Sequence, residues 1–140
     1  MSTFKETIFI SLPVKDLSKS IAFYEAIGFT QNKQFPDQSV ACMILSDTFS
    51  VILITHSKWR EFTTRIIPDA KKTAQFGLTL TKESKIAVDN MVEKGANAGG
   101  MLDPNPIEDY SFMYGRSLED PDGHIWEAKW MDMSAMQPGS

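Results

Sequence analysis

Apolar and β-branched residues fall in short runs bounded by turn formers, a pattern of strands with a few amphipathic helices between them. Residues 7–14 alternate β-branched and aromatic side chains before Pro13 and predict a first strand. Leu17, Ile21 and Tyr24 then recur at helical spacing, with Phe23 and Ile27 beside them. This predicts a helix over 17–27, capped by Asp16 or Ser18 and stopped by Gly28, which adopts a left-handed conformation without steric cost. Strands are expected at 29–35, 40–45 and 49–55, the last two joined by the short polar turn Ser46-Asp47-Thr48. Trp59, Phe62 and Ile66 share helical spacing and predict a short amphipathic helix within 57–73, running into an exposed link at Pro68-Asp69 and Lys71-Lys72.

The order then restarts. A strand is expected at 75–80. A helix follows from Ser84 to Lys94, with Ile86, Val88, Met91 and Val92 as its apolar residues and Gly95 as its stop. A weak strand at 97–102 precedes the loop Asp103-Pro104-Asn105-Pro106. Strands at 111–118 and 125–130 close the set, joined by the strong turn Asp120-Pro121-Asp122-Gly123. Asp16 and Gly28 bracket the first helix as Glu83 and Gly95 bracket the second, an offset of 67 residues. Two copies of one βαβββ unit follow: about 4–56 and about 74–131, with a linker helix about 57–73. A unit of this size hardly buries one sheet face alone, so one domain built from two similar halves is expected.

Composition narrows the class. The 140 residues are 42% hydrophobic and 23% charged, which excludes a disordered tail, a collagen-like repeat and a coiled-coil rod. The net charge of −4 argues against a nucleic-acid partner, which asks for a basic face. The only cysteine, Cys42, excludes an internal disulfide and a Cys-rich zinc site, and its strand context reads as a small core hydrophobe. The longest strongly apolar run, about 51–54, falls far short of the roughly 20 residues that span a bilayer. The opening residues lack the apolar stretch of a secretory signal. A soluble cytoplasmic protein with no membrane partner is the expectation.

Two motifs carry a family resemblance. The stretch 14–29, Val-Lys-Asp-Leu-Ser-Lys-Ser-Ile-Ala-Phe-Tyr-Glu-Ala-Ile-Gly-Phe, resembles the opening strand and helix of the vicinal oxygen chelate superfamily. That superfamily includes glyoxalase I, extradiol dioxygenases, fosfomycin-resistance enzymes and bleomycin-binding proteins. The stretch 119–127, Glu-Asp-Pro-Asp-Gly-His-Ile-Trp-Glu, resembles its closing hairpin. Tyr114-Gly115-Arg116-Ser117 and the stretch 130–136 further resemble a bacterial subgroup labelled predicted lactoylglutathione lyase. The resemblance implies an α+β fold of two βαβββ modules, each a half-open sheet, around a shared cleft, and members that often pair into homodimers.

It also implies where chemistry would sit. Metal-dependent members hold one divalent ion with His, Glu or Gln side chains, two from the first strands of the modules and two from the last. Counting from the motifs, those places fall on Phe9, Leu53, Phe76 and Glu127. Three of the four have no donor atom, so no metal cofactor is expected. Phe9 and Phe76 would instead make the cleft apolar, the general form of a small-molecule site. Glu127 is the candidate general base or hydrogen-bond anchor. Tyr114 and Arg116 are candidates to offer a hydroxyl and a guanidinium to a ligand, with structural roles as the alternative. His56 and His124 read as surface histidines, His56 being a weak metal candidate should the register shift.

The leading expectation is a protein that binds a small amphipathic or aromatic molecule in an apolar cleft without a metal, as a homodimer. The alternative is a metal-dependent lyase, isomerase or dioxygenase of the glyoxalase I class. A third is a ligand-free scaffold whose Met131, Met133 and Met136 pack on a partner, because methionine adapts to irregular surfaces. A fold alone does not decide among these.

Overall fold

Asp16 starts the first helix: its carboxylate accepts the backbone N–H of Lys19 at 3.1 Å, satisfying an amide the helix cannot. The helix, α1 (Leu17–Ala26), ends where Gly28 takes φ +112°. In the computed structural model, which describes residues 3–34 and 37–136, α1 lies on a four-stranded sheet. Its strands are β1 (Ile8–Val14), β2 (Thr30–Gln31), β3 (Val40–Ser46) and β4 (Phe49–Thr55), in the order β1-β4-β3-β2. β1 and β4 run parallel, and the other pairs are antiparallel. The period-two alternation of a strand puts Leu12, Val14, Ala41, Met43, Val51 and Leu53 on the α1 side, where all are buried. Phe23, Tyr24 and Phe29 complete this core edge to face, with centroids 5.0 and 5.4 Å apart. Each such fully buried side chain stabilises the fold by about 1.5–3 kcal/mol.

The plan repeats. α3 (Lys85–Asn97) starts at Ser84, whose hydroxyl accepts the Ala87 N–H at 3.1 Å. It covers a sheet of β5 (Leu78–Thr81), β6 (Met101–Leu102), β7 (Glu108–Tyr110), β8 (Met113–Glu119) and β9 (Ile125–Met131). The order is β5-β9-β8-β6, with β7 also pairing β8. Val88, Met91 and Val92 are buried with Leu118, Trp126 and Ala128 of the facing strands. Between the sheets come α2 (His56–Phe62) and an irregular stretch. The chain thus divides into two compact units, Met1–Asp69 and Ala70–Ser140, and its class is α+β.

Several boundaries differ from the periodicity. The linker helix is seven residues long and ends at Thr63, which is extended. None of its residues is buried, so no apolar face draws Ile66, 93% exposed, into a further turn. Gly95 does not stop α3. It is buried within the helix, and the left-handed residue is Gly99. The second strand contracts to Thr30–Gln31, and part of its expected span, residues 35 and 36, lies outside the described residues. β7 is an addition to the βαβββ pattern. Its Glu-Asp-Tyr sequence carries no strand signal, and its place is set by pairing with β8.

The turn between β8 and β9 is built on Asp120, 1% exposed, whose Oδ1 accepts the N–H groups of Asp122 and His124, each at 2.9 Å. The link before β5 presses onto this turn. A Cβ at Gly123 would stand 2.6 Å from the Lys71 nitrogen and 2.8 Å from the Ala70 carbonyl carbon, and Gly123 has φ +104°. Lys71 Nζ lies 3.7 Å from Glu119 Oε2 beside it. Gly28 has the same backbone conformation, but nothing lies within 4 Å of its missing Cβ. Gly28→Ala should therefore cost about 1–2 kcal/mol from backbone conformation alone. Gly123→Ala should cost about 2–4 kcal/mol, adding the backbone clash. Urea denaturation of both variants measures the difference, and equal losses would remove the role given to the Lys71 contact.

Candidate functional site

The face of the second sheet turned away from α3 gathers the polar residues that face one another across strands. Strand register sets Glu108, Gly115 and Lys129 in one row over β7, β8 and β9. The next row along β9 sets Thr79, Ser117 and Glu127 side by side. Lys129 Nζ lies 3.4 Å from Glu108 Oε1 and 3.8 Å from Glu127 Oε2. Glu127 is thus half-buried beside an ammonium. Ser117 is buried and its hydroxyl accepts the Asn105 N–H at 2.9 Å, which ties the 103–106 loop to this face. Two residues beyond Lys129 on the same face is Met131. It opens onto a groove of about 550 Å³ lined by Thr81, Lys82, Glu83, Trp130, Met131 and Met133.

Tyr114 and Arg116 stand on the opposite face, under α3, because they alternate with Gly115 and Ser117 along β8. They do not share a face with Glu127. Arg116 forks onto Asp103, with Nε at 3.1 Å from Oδ1 and Nη2 at 2.7 Å from Oδ2, and its Nη1 reaches Asp89 Oδ1 of α3 at 2.9 Å. Tyr114 Oη donates to the same Asp89 oxygen at 2.7 Å. The guanidinium is held still more firmly protonated by Asp103 and Asp89. These are structural contacts joining β8, α3 and the 103–106 loop, the alternative that the sequence left open. Asp103 holds its place with φ +52°, the one non-glycine residue with positive φ among those described. Nearby, Lys85 Nζ sits over the rings of Tyr114 and Trp130, at 5.8 and 5.6 Å, a pair of cation–π contacts.

In the first unit, Phe9 is 60% exposed on the face turned away from α1. Leu53 is fully buried on the α1 side, so it is no companion of Phe9. The β4 residues on Phe9's face are Ser50, directly opposite it, and then Ile52 and Ile54 further along the strand. Phe76 precedes β5 and is 61% exposed. Cys42 is half-buried on Phe9's side of the sheet rather than in the α1 core, and burial pushes its thiol up from its ordinary value. His56 is the first residue of α2, and His124 lies in the Asp120 turn.

A family model of the Glyoxalase/Bleomycin resistance protein/Dioxygenase superfamily matches residues 8–128. The chain belongs to that superfamily. Solved structures share the superfamily's fold with it at low identity. A hypothetical protein of S. aureus is 24% identical with a TM-score of 0.75, over 91% of this chain and 95% of that one. A glyoxalase/bleomycin resistance protein/dioxygenase family enzyme from Burkholderia phytofirmans is 19% identical with a TM-score of 0.72, over 91% and 99%. An antibiotic binding protein, TnmS3 of a Streptomyces species, is 18% identical with a TM-score of 0.61, over 94% and 99%. No curated protein matches the sequence. Superfamily membership raises the question of a divalent ion, and the donor chemistry answers it. Phe9 and Phe76 offer no donor, Leu53 lies in the α1 core, and Glu127 faces an ammonium. Among the described residues no three His, Cys, Asp or Glu side chains gather to hold an ion. The residues present do not fit such a metal.

The groove and Lys129 are the parts that sequence reasoning missed. Lys129 is two residues from Glu127, so strand periodicity places both on one face once Glu127 is assigned.

The charged cluster under α3 has a pH signature. The Tyr114 hydroxyl above all, helped by Arg116, holds the Asp89 carboxyl below its ordinary value of 3.8, against an opposing effect of burial that is second only to Tyr114's. A lowered folded value means that this contribution to stability is complete above the ordinary value and is lost as pH falls through the lowered one. Tyr114 shifts the other way: burial, and then the Asp89 carboxylate, push its phenol above 10.0. In Tyr114→Phe the Asp89 carboxyl should titrate closer to 3.8, followed by carboxyl ¹³C NMR. An unmoved Asp89 titration would contradict the assignment.

Proposed function

We propose that the protein binds a small amphipathic or aromatic molecule without a metal, in an apolar cleft at the ends of β5 and β9, where Met131 comes from the second sheet's open face and Trp130 from its α3 face. The observation that carries this is the row Glu127, Lys129, Met131: a paired carboxylate and ammonium that lead into a groove walled by Trp130, Met131 and Met133. Its volume is about 550 Å³, within the range of small-molecule sites, and Trp130, Met131 and Met133 line it together with Thr81, Lys82 and Glu83. Trp130 gives an aromatic wall, and the methionines adapt to the outline of a guest. Glu127 serves as a hydrogen-bond anchor for the ligand's polar end. Phe76, an exposed aromatic residue of the same unit, is available to the ligand's apolar part. That a fold relative is an antibiotic binding protein is consistent with this use.

The same reading takes the chain as a cytoplasmic homodimer, in which exposed apolar residues such as Ile66 and Ile86 gain cover. Among the described residues, no helix is long and apolar enough to cross a membrane.

The amphipathic probe 1-anilinonaphthalene-8-sulfonate tests the binding. We expect saturable, stoichiometric fluorescence enhancement, unchanged by EDTA. Met131→Asp and Met133→Asp should each weaken it about tenfold while leaving the circular dichroism as it is. Absence of saturable binding would refute the proposal. Binding that EDTA abolishes, with hemithioacetal turnover restored by Zn, Ni, Mn or Fe, would establish the metal-dependent lyase instead. Sedimentation velocity at two concentrations reads the assembly.

A further inference from the structure

We infer that Lys129 is the resident cation of the second sheet's open face, fixed over Gly115 between Glu108 and Glu127, and that its ammonium bars a divalent ion from Glu127. The inference rests on the metal-free reading of that face.

Three observations converge. The first is register. Glu108, Gly115 and Lys129 are cross-strand partners, so a Lys129 side chain that reaches Glu108 on β7 must cross β8 at Gly115. The second is space. A Cβ at Gly115 would stand 3.2, 3.5 and 3.7 Å from Cγ, Cε and Cδ of Lys129. The lysine stem therefore lies along the strip that a side chain at 115 would fill, and Gly115 itself is buried beneath it. A lysine with such a track is pre-ordered, unlike one that waves in solvent, and its Nζ is delivered to a set place. The third is charge. Two carboxylates from different strands flank that place, at 3.4 and 3.8 Å, and the Lys129 side chain is 22% exposed. A carboxylate pair converging on one point suits a cation, and the chain supplies one covalently. A divalent ion at Glu127 would face an ammonium at close range, and among the described residues no three His, Cys, Asp or Glu side chains gather to hold it.

Terbium luminescence reads this directly, because the trivalent ion seeks carboxylates and is sensitised by nearby tyrosine and tryptophan. Wild-type protein, Lys129→Gln, Lys129→Met and the double variant Lys129→Gln with Glu127→Gln are titrated with terbium chloride, after circular dichroism has shown each to be folded. Two neutral replacements guard against one of them failing to fold. We expect at least a tenfold gain in terbium affinity in either single variant, and a return to the wild-type value in the double variant. Wild-type affinity equal to that of the single variants would overturn the inference, as would a gain that survives loss of Glu127. Terbium reports on the carboxylates and the anilinonaphthalene probe on the groove. Failure of one result therefore leaves the other standing, and the two readings fail separately.

Discussion

Each sheet is sealed on one face by a single helix, and this constraint governs everything else in the molecule. α1 contributes Phe23 and Tyr24 and α3 contributes Val88, Met91 and Val92, all buried. With apolar residues committed to the helix side, strand alternation leaves the other side of each sheet for different chemistry. In the second sheet that side carries Glu108, Lys129, Glu127 and Ser117. The helix-facing side is not wholly apolar, because Arg116 is admitted there, paid for by Asp103 and Asp89 in a charge-assisted network. Arg116 thereby ties the start of α3, the centre of β8 and the 103–106 loop to one another, and so steadies the floor on which Glu127 and Lys129 stand.

Much of the fold was legible because its signals are local. Asp16 and Ser84 cap helices, Gly28 ends one, and Phe49–Thr55 is a strand over the whole expected span. Gly95 misled for a physical reason. A glycine near a helix end is read as a stop, but this one lies on the buried face of α3, and the helix continues to Asn97. Ile66 misled because periodicity measures spacing and not burial, and α2 has no buried residue to extend it. The short strands β2, β6 and β7 were blurred or missed, since strands of two or three residues are defined by their neighbours rather than by their own composition.

The candidate site was less legible than the fold. Glu127 could be placed from the closing hairpin, and the alternation with Trp126 correctly puts the tryptophan under α3. Leu53 fell on the α1 side, because a shift of one position reverses a strand residue's side, and Tyr114 and Arg116 took the structural role that stood as their alternative. Lys129 and the groove beside Met131 depend on side-chain reach across three strands, which no linear motif records. That Phe9 and Phe76 can hold no metal, by contrast, is a property of the residues themselves, because a phenylalanine has no donor atom whichever way it points.

The strand order has a consequence for how the chain is made. β4 and β9 are the last full strands of their units, yet each lies in the interior of its sheet, between β1 and β3 or between β5 and β8. As the polypeptide leaves the ribosome, β1 and β5 emerge early and find their parallel partners only after about forty further residues have been synthesised. Until then each has a bare edge and its helix has half a surface to rest on. A nascent chain stalled before β9 would thus lack the strand that joins β5 to β8, along with Glu127 and Lys129. Such a chain is material for chaperones and proteases rather than a smaller working protein.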